Sequence, residues 1–553
     1  MFDKTRKIVE KIENYPLDFR VWLSGFSAIM IARLFLENFL SDFKDKPLEF
    51  FAGSALVTFL FFLFAYLLIL ILLKLALREK IQKLANVLLW GFWLAAFPPL
   101  IDRVWCGKFQ ACWSFYTFDG LSGLLRRFLT FFGDNPRLGI TYGVRTEVAL
   151  AVLFVAIYAY LKTKKPLRSL GVGFLAYVIL FVLGSFPSWL TFLVYLPSKG
   201  IGALEGHDVA GLFLSGAKYF SFENGDFMNS LNIKMSLVYA FLAVPALIFF
   251  FWQNFQKKFR AVAKNIRWIQ IMVHAGVIIF GFVLGVFYFP RNFPNLRSPD
   301  FSGVFFPFLA FSNLILAAVF AWIASIFPND VVDFEIDKET NKKRPLVTGE
   351  ISKEEYWQLF LVFFVMSLVL AASVGVKFFL IVLFYQVIGW VYSCPPFRLK
   401  RFPILATFIS AQAFILLFMC GFILISDNQD ISQFPMKIFW LLTVSFTISL
   451  PIKDIKDIEG DKKNGIWTIP VLLGETGSRF AIGLGIFISY ALSVILLNAK
   501  ILFLPAMILG AISFWVLQNK KISPRRVHIW VFGFLFLYVV LMAYFLFLPS
   551  IMV

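Results

Sequence analysis

Two stretches of the sequence carry carboxylates at spacings that allow them to act together: Asp330, Asp333 and Asp337, headed by the amide of Asn329, in the first, and Asp454, Asp457 and Asp461 in the second. Each carboxylate of the first has a counterpart 124 residues on, so that Asp330 answers to Asp454, Asp333 to Asp457 and Asp337 to Asp461. Residues three or four apart share a helix face, with Cβ atoms about 5–6 Å from each other, so each cluster projects several oxygens in one direction. Two such faces can cage a cation. Like charges at this density call for one, the more so where helix C-termini add partial negative charge. Oxygen donors without a Cys or His set point to a hard divalent ion, and the lack of an EF-hand pattern favours Mg²⁺ over Ca²⁺. Magnesium is then the natural bridge to a phosphate-bearing substrate. A solvated acidic loop explains one cluster as well; it does not explain two of matched spacing.

Basic residues accompany both clusters: Lys342, Lys343 and Arg344 after the first, Lys453 and Lys456 within the second, and Arg398, Lys400 and Arg401 between them. A diphosphate held by Mg²⁺ still needs donors for its remaining oxygens, and these side chains can supply them.

The elements that must position these residues are membrane spans. Of 553 residues, 60% are hydrophobic and only 15% charged, and mean hydropathy is +0.80, which excludes a soluble globular protein and a disordered one. A bilayer core of about 30 Å needs about 20 helical residues, and fifteen apolar runs approach that length. Six lie in the first half: 22–39, 52–73, 84–101, 146–161, 170–196 and 235–252. Nine follow: 268–289, 304–327, 356–374, 378–392, 403–425, 438–452, 480–497, 501–517 and 529–547. The fold expected is all-α and polytopic, with about 15 transmembrane helices. The division falls at the basic linker 253–267, giving a six-span domain over 1–260 and a nine-span domain over 261–553.

The excess of 52 Lys+Arg over 33 Asp+Glu reads as membrane topology rather than nucleic-acid binding, because Lys and Arg gather in every second loop. That parity puts the N-terminus and both acidic clusters in the cytoplasm and the C-terminus outside. The basic N-terminus leads into an uncleaved first anchor, since Glu13–Pro16 interrupts it and no small-residue cleavage site follows. Cys106 and Cys112 fall in a long loop on the other side, either as a disulfide or as two free thiols. The absence of an Asn-x-Ser/Thr acceptor goes with a prokaryotic cell membrane rather than a secretory surface.

At these residues the sequence resembles the UbiA superfamily of intramembrane prenyltransferases. The resemblance covers about residues 264–553 and rests on Asn329-x3-Asp333-x3-Asp337, Asp457-x3-Asp461 preceded by Asp454, Arg344-Pro345-Leu346 with Gly349, the run Tyr392–Lys400, and Gly460-Asp461 through Thr468-Ile469-Pro470 and Gly474. It implies a nine-helix bundle that binds a prenyl diphosphate through Mg²⁺, ionises its C–O bond and passes the allylic carbon to an acceptor. Carried over residue by residue, it makes Asn329, Asp333, Asp337, Asp457 and Asp461 metal ligands. Arg398 and Lys400, with Arg344 and Tyr392, become diphosphate contacts. Lys456 joins the donors as a basic residue of the second cluster, and Tyr392, Asp330 and Asp454 are the catalytic candidates, the two aspartates as proton acceptors from their position at the cytoplasmic face. The implied partners are a prenyl diphosphate, a membrane-associated lipid, quinone or aromatic precursor, and the bilayer itself. Pro395-Pro396 lengthens the loop after Tyr392 relative to some members, leaving Arg398 and Lys400 as alternatives for one role.

The rival reading is a polytopic lipid transporter or flippase with a cytoplasmic acidic gate. Against it, transporter carboxylates lie near the bilayer midplane, and six and nine spans do not match as inverted repeats. His274, alone on an apolar helix, reads as a hydrogen-bonded packing residue or a proton acceptor. The first half carries no motif. Its intramembrane pair Arg33 and Glu37, at i,i+4 spacing, reads as an interhelical ion pair, a head-group contact or a snorkelling edge.

Overall fold

The computed structural model describes residues 2–40, 48–106, 120–132, 140–200, 205–214, 227–293, 302–463 and 465–551. Cys112 lies outside them, as does the side chain of Cys106. Among the described residues the regular structure is entirely helical. Fourteen helical segments among the described residues are long and apolar enough to cross a membrane, six before Gln256 and eight after it, and the protein is an integral multi-pass membrane protein. The fifteenth expected span falls in the last helix, where the apolar stretch is Arg526–Met542.

The chain forms two compact units, one of Met1–Ala217, Phe222–Gln256 and Asn295–Ala310, the other of Lys218–Ser221, Lys257–Pro294 and Phe311–Val553.

The first unit contains α1 (Phe2–Glu13), α2 (Phe19–Leu40), α3 (Leu48–Leu77), α4 (Ile81–Gly91), α5 (Pro98–Cys106), α6 (Leu121–Leu129), α7 (Tyr142–Thr163), α8 (Pro166–Gly184), α9 (Phe186–Lys199), α10 (Gly206–Leu214) and α11 (Phe227–Asn254). Helix α3 is apolar on all sides and packs against α8 and α11, as a helix without a polar face must. Between α4 and α5 the third span passes through a 3-10 segment, Phe92–Ala96, whose tighter winding breaks the α ladder. Phe26, Tyr66 and Phe92 stack and cross over that break. At the other end of the unit, buried Glu13 accepts from the Tyr158 hydroxyl at 2.9 Å and from Lys162 Nζ at 2.7 Å. That contact docks the amphipathic α1 against α7.

The expected single span at 170–196 is instead two helices. Ser185 leaves the α region (φ −106, ψ 15), and Pro187, lacking an N–H, cannot continue the ladder of α8. Ser185 Oγ accepts from Trp189 Nε1 at 3.1 Å while donating to Phe181 O at 2.7 Å, which holds the corner.

The second unit runs through α12 (Gln256–Asn265), α13 (Trp268–Tyr288), α14 (Ser302–Val332), α15 (Phe334–Thr340), α16 (Lys353–Val374), α17 (Val376–Ser393), α18 (Pro403–Ile425), α19 (Met436–Ser449), α20 (Ile458–Lys463), α21 (Ile469–Leu496), α22 (Phe503–Gln518) and α23 (Pro524–Ile551), with the first residues of α12 and α14 counted in the first unit. Neighbours in sequence pack together from α16 through α19, and α21, α22 and α23 follow in order. Helix α23 returns against α13, where Phe280 and Phe536 meet at 5.8 Å. The tightest crossing joins α13 and α18. A Cβ on Gly281 would lie 1.9 Å from Phe418 O, and one on Gly421 would lie 2.1 Å from Ile278 O, so only glycines admit this backbone approach.

Candidate active site

Both acidic motifs sit where spans end. Asn329 and Asp330 occupy the last turn of α14; Asp333 stands at the break before α15, with φ −92 and ψ 12, and Asp337 lies within α15. Backbone bonds of 2.9 Å from Asp333 N to Asn329 O and 2.8 Å from Asp337 N to Asp333 O carry the helical repeat across the break. The second motif is wound more tightly. Leu450–Asp457 is a 3-10 helix, in which residues three apart eclipse, and α20 continues through Asp461.

The first motif's three acids are clamped in two groups, Asp333 by one set of cations and Asp330 with Asp337 by another. Asp333 accepts from Arg398 Nη2 at 2.8 Å and from Lys400 Nζ, which also approaches Asn329 Oδ1 at 3.3 Å. Asp330 and Asp337 share Arg344 Nη1, at 2.6 Å from Asp330 Oδ1. Asn265 Nδ2 donates to the second Asp330 oxygen at 2.9 Å, Arg267 Nη2 stands 4.0 Å from the first, and Asn341 Nδ2 donates to Asp337 at 3.0 Å. The acids are well removed from water: Asp330 is 1% exposed and Asp337 3%. Burial pushes the Asp337 carboxyl up to about 6, with Arg344 pulling the other way. Burial likewise lowers Lys400 from the ordinary lysine range, opposed by Asp333.

Around the second motif, Lys453 Nζ lies over the Tyr392 ring, 5.6 Å from its centroid. Asp454 and Asp461 both lie within electrostatic reach of the Tyr392 hydroxyl. Thr468, the N-cap of α21, reaches Asp461 Oδ2 at 3.5 Å. Arg267, 4.0 Å from Asp330 Oδ1, also lies within electrostatic reach of Lys453. The side chains of Lys456 and Asp457 lie outside the described residues.

Two features of the cluster bear on ligands. Arg398 takes the left-handed conformation, φ 44, rare for a side-chain-bearing residue, and its buried Nε has no hydrogen-bond partner. The Lys400 ammonium sits between Asn329 Oδ1 and the Asp333 carboxylate, a cation already held by two oxygen ligands four residues apart. A divalent ion asks for the same donor chemistry, so these residues fit Mg²⁺, although among the described residues no three His, Cys, Asp or Glu side chains gather tightly enough to hold a metal alone.

His274 is buried, its Nδ1 2.6 Å from Gln270 O, its ring stacked on Trp322 at 4.5 Å and near Phe414 at 5.0 Å. Residues given no individual role from sequence join the site: Asn265, Arg267, Lys453 and, through Asn265 at 3.5 Å, Tyr356. A signal for Lys453 exists. It stands 124 residues after Asn329, so the repeat places it at the head of the second motif as Asn329 heads the first.

The second unit is thus an apolar helical bundle with interleaved acids and bases at the ends of its spans. Residues 301–540 match the model of the UbiA prenyltransferase family, and this C-terminal half is UbiA-like; no family model matches the N-terminal half. Among curated relatives, 2-acyl-4-prenylphloroglucinol 6-prenyltransferase of Humulus lupulus is 29% identical over 202 residues, 35% of this chain and 48% of the relative. Digeranylgeranylglyceryl phosphate synthase of Sulfolobus acidocaldarius is 30% identical over 166 residues, 29% of this chain and 58% of the relative. The chain thus spans about half the length of the curated relatives it matches. Among solved structures, a UbiA homolog from Archaeoglobus fulgidus bound to GPP and Mg²⁺ aligns with 51% of this chain and 99% of its own, at 22% identity and a TM-score of 0.40.

Proposed function

We propose that the C-terminal domain, over 261–553, transfers a prenyl group from a prenyl diphosphate to a membrane-associated acceptor, a lipid, quinone or aromatic precursor, and releases diphosphate at the cytoplasmic face. The observation that carries this reading is the clamped cluster itself. Guanidinium and ammonium groups from the loops after α15 and between α17 and α18 converge on the carboxylates at the end of α14 and in α15, and one buried donor, Arg398 Nε, has no hydrogen-bond partner. A polyanion with several oxygens is what such donors satisfy.

In this reading Asn329, Asp333, Asp337, Asp457 and Asp461 would hold Mg²⁺, which would supply positive charge for the diphosphate oxygens. Arg344, Arg398, Lys400 and Lys456 donate to its remaining oxygens. The C1–O bond breaks with its electron pair going to the diphosphate, the acceptor's nucleophile bonds to C1, and a carboxylate, Asp330 or Asp454, takes the proton the acceptor loses. Tyr392, with Lys453 over its ring, orients the diphosphate at the second motif. The apolar helices supply the wall for the isoprenoid chain. The family match and the relatives' names, which include phloroglucinol and glyceryl phosphate products, support prenyl transfer to such acceptors. The six-span domain over 1–260 contributes none of these residues, and the basic-loop parity puts the N-terminus in the cytoplasm and the C-terminus outside.

The test is the full-length protein in nanodiscs, given radiolabelled prenyl diphosphates of several lengths and an extract of membrane lipids and quinone precursors. A prenylated product that needs Mg²⁺ and is absent from the Asp333→Ala, Asp461→Ala double variant is expected. Well-folded protein that releases no diphosphate from any donor overturns the proposal.

A further inference from the structure

The first unit holds a second polar site, inside its spans. Arg33 and Glu37 on α2 and Glu147 on α7 come together beside the 3-10 break of the third span, with side chains 11%, 19% and 12% exposed. Arg33 Nη1 donates to Ala95 O, a carbonyl of the break, and lies 3.3 Å from Glu147 Oε2. The guanidinium carbon sits 4.7 Å from the Phe62 ring centroid. Arg33 and Glu147 line a cavity of about 100 Å³ whose other walls are almost all apolar, among them Phe62, Phe92, Phe154 and Ala151. For scale, an engineered apolar cavity of about 150 Å³ admits benzene.

Two atoms of this cluster are buried without a hydrogen-bond partner: Arg33 Nε, a donor, and Glu37 Oε2, an acceptor. They face each other at 3.9 Å, too far for a direct bond and the right distance for one oxygen to sit about 2.8 Å from both. That oxygen must accept from Nε–H and donate to the carboxylate. A hydroxyl does both. The charge count selects against other heads. One guanidinium against two carboxylates leaves no welcome for an anion, and a cationic head offers nothing to Arg33 Nε–H. Water meets the polar demand alone but leaves the aromatic walls without contact.

We infer that the N-terminal unit binds a neutral lipophilic hydroxyl compound, its O–H seated between Arg33 and Glu37 and its hydrocarbon body in the adjoining aromatic cavity. The class covers phenols and alcohols with a ring-sized apolar portion next to the hydroxyl. This site is independent of the acid–base cluster in the second unit.

The test uses the full chain in nanodiscs with tritiated 4-octylphenol and its isostere 4-octyltoluene, in which methyl replaces hydroxyl; empty nanodiscs correct for partition into lipid. Octylphenol is expected to bind saturably, one per protein, and octyltoluene not to displace it. Ala151→Leu fills the cavity without touching the charges and should abolish saturable binding. Glu37→Met removes the acceptor while leaving Arg33 its Glu147 partner, and should weaken binding on the order of tenfold or more. Melting profiles identify any variant that fails to fold, and the isostere comparison on the unaltered protein decides the matter without them. Equal binding of both probes, no saturable binding of octylphenol, or undiminished binding by folded Ala151→Leu overturns the inference.

Discussion

A single nitrogen of Arg344 binds both Asp330 and Asp337, residues seven apart on either side of the helix break at Asp333. The bridge ties the loop after α15 to the end of α14. It also neutralises an Asp330 that is almost wholly buried. Removing one partner of a buried pair strands the other charge, at a cost of about 3–5 kcal/mol. Arg344→Ala is expected to lower stability by an amount in that range and to lose prenyl transfer. Arg344→Asn with Asp330→Asn and Asp337→Asn, which removes both carboxylates along with their shared cation, should recover much of the stability without the activity. Thermal unfolding in detergent, read beside diphosphate release, separates the two effects.

Arg398 presents an unused donor. If its Nε meets a diphosphate oxygen, Arg398→Lys keeps a charge for Asp333 but loses the forked geometry. A rise in KM for the prenyl diphosphate of about tenfold or more is expected, with the melting temperature nearly unchanged, since Asp333 keeps Lys400. A KM equal to that of the unaltered protein would remove Arg398 from the diphosphate site.

Metal dependence can be read without turnover. Chelation should reduce affinity for a non-hydrolysable prenyl diphosphate analogue, and Mg²⁺ should restore it. In Asp333→Asn protein the same addition is expected to restore binding at least tenfold less well, because a carboxylate ligand has become a neutral one. Equilibrium dialysis with labelled analogue gives both values.

The α13–α18 crossing predicts a purely structural defect. Gly281→Val and Gly421→Val each put side-chain atoms where a backbone carbonyl already lies, and overpacking of this kind costs typically 1–3 kcal/mol, more where backbone must move. Both variants should unfold at lower temperature than the parent, whereas Gly276→Ala, with open space around its Cβ position, should not.

Much of this architecture is legible from composition and period. Spans approach 20 apolar residues because the bilayer fixes their length, and the repeat of 124 residues singles out the acids before any fold is known. What sequence does not carry is how the acids are shared. Asn329 and Asp333 turn to Lys400, while Asp330 and Asp337 turn to Arg344, because at about 100° per residue Asn329 and Asp333 fall on one edge of a common stripe, Asp337 and Asp330 on the other, and each edge meets a different loop. Arg267 reads in sequence as one more topogenic charge, and only the return of α13 beside α14 brings it to Asp330. The corner at Ser185 was signalled by Pro187, yet the surrounding apolar run hid it.

The glycine-lined crossing of α13 and α18 has a mechanical meaning. With Gly281 seated on Phe418 O and Gly421 on Ile278 O, neither helix can roll or slide without driving backbone into backbone, so the two behave as one beam. A long, flexible hydrocarbon entering this bundle therefore finds its give elsewhere. Compliance has to come from the seams filled by Phe and Leu side chains, which can change rotamer, rather than from this one, which has none to change.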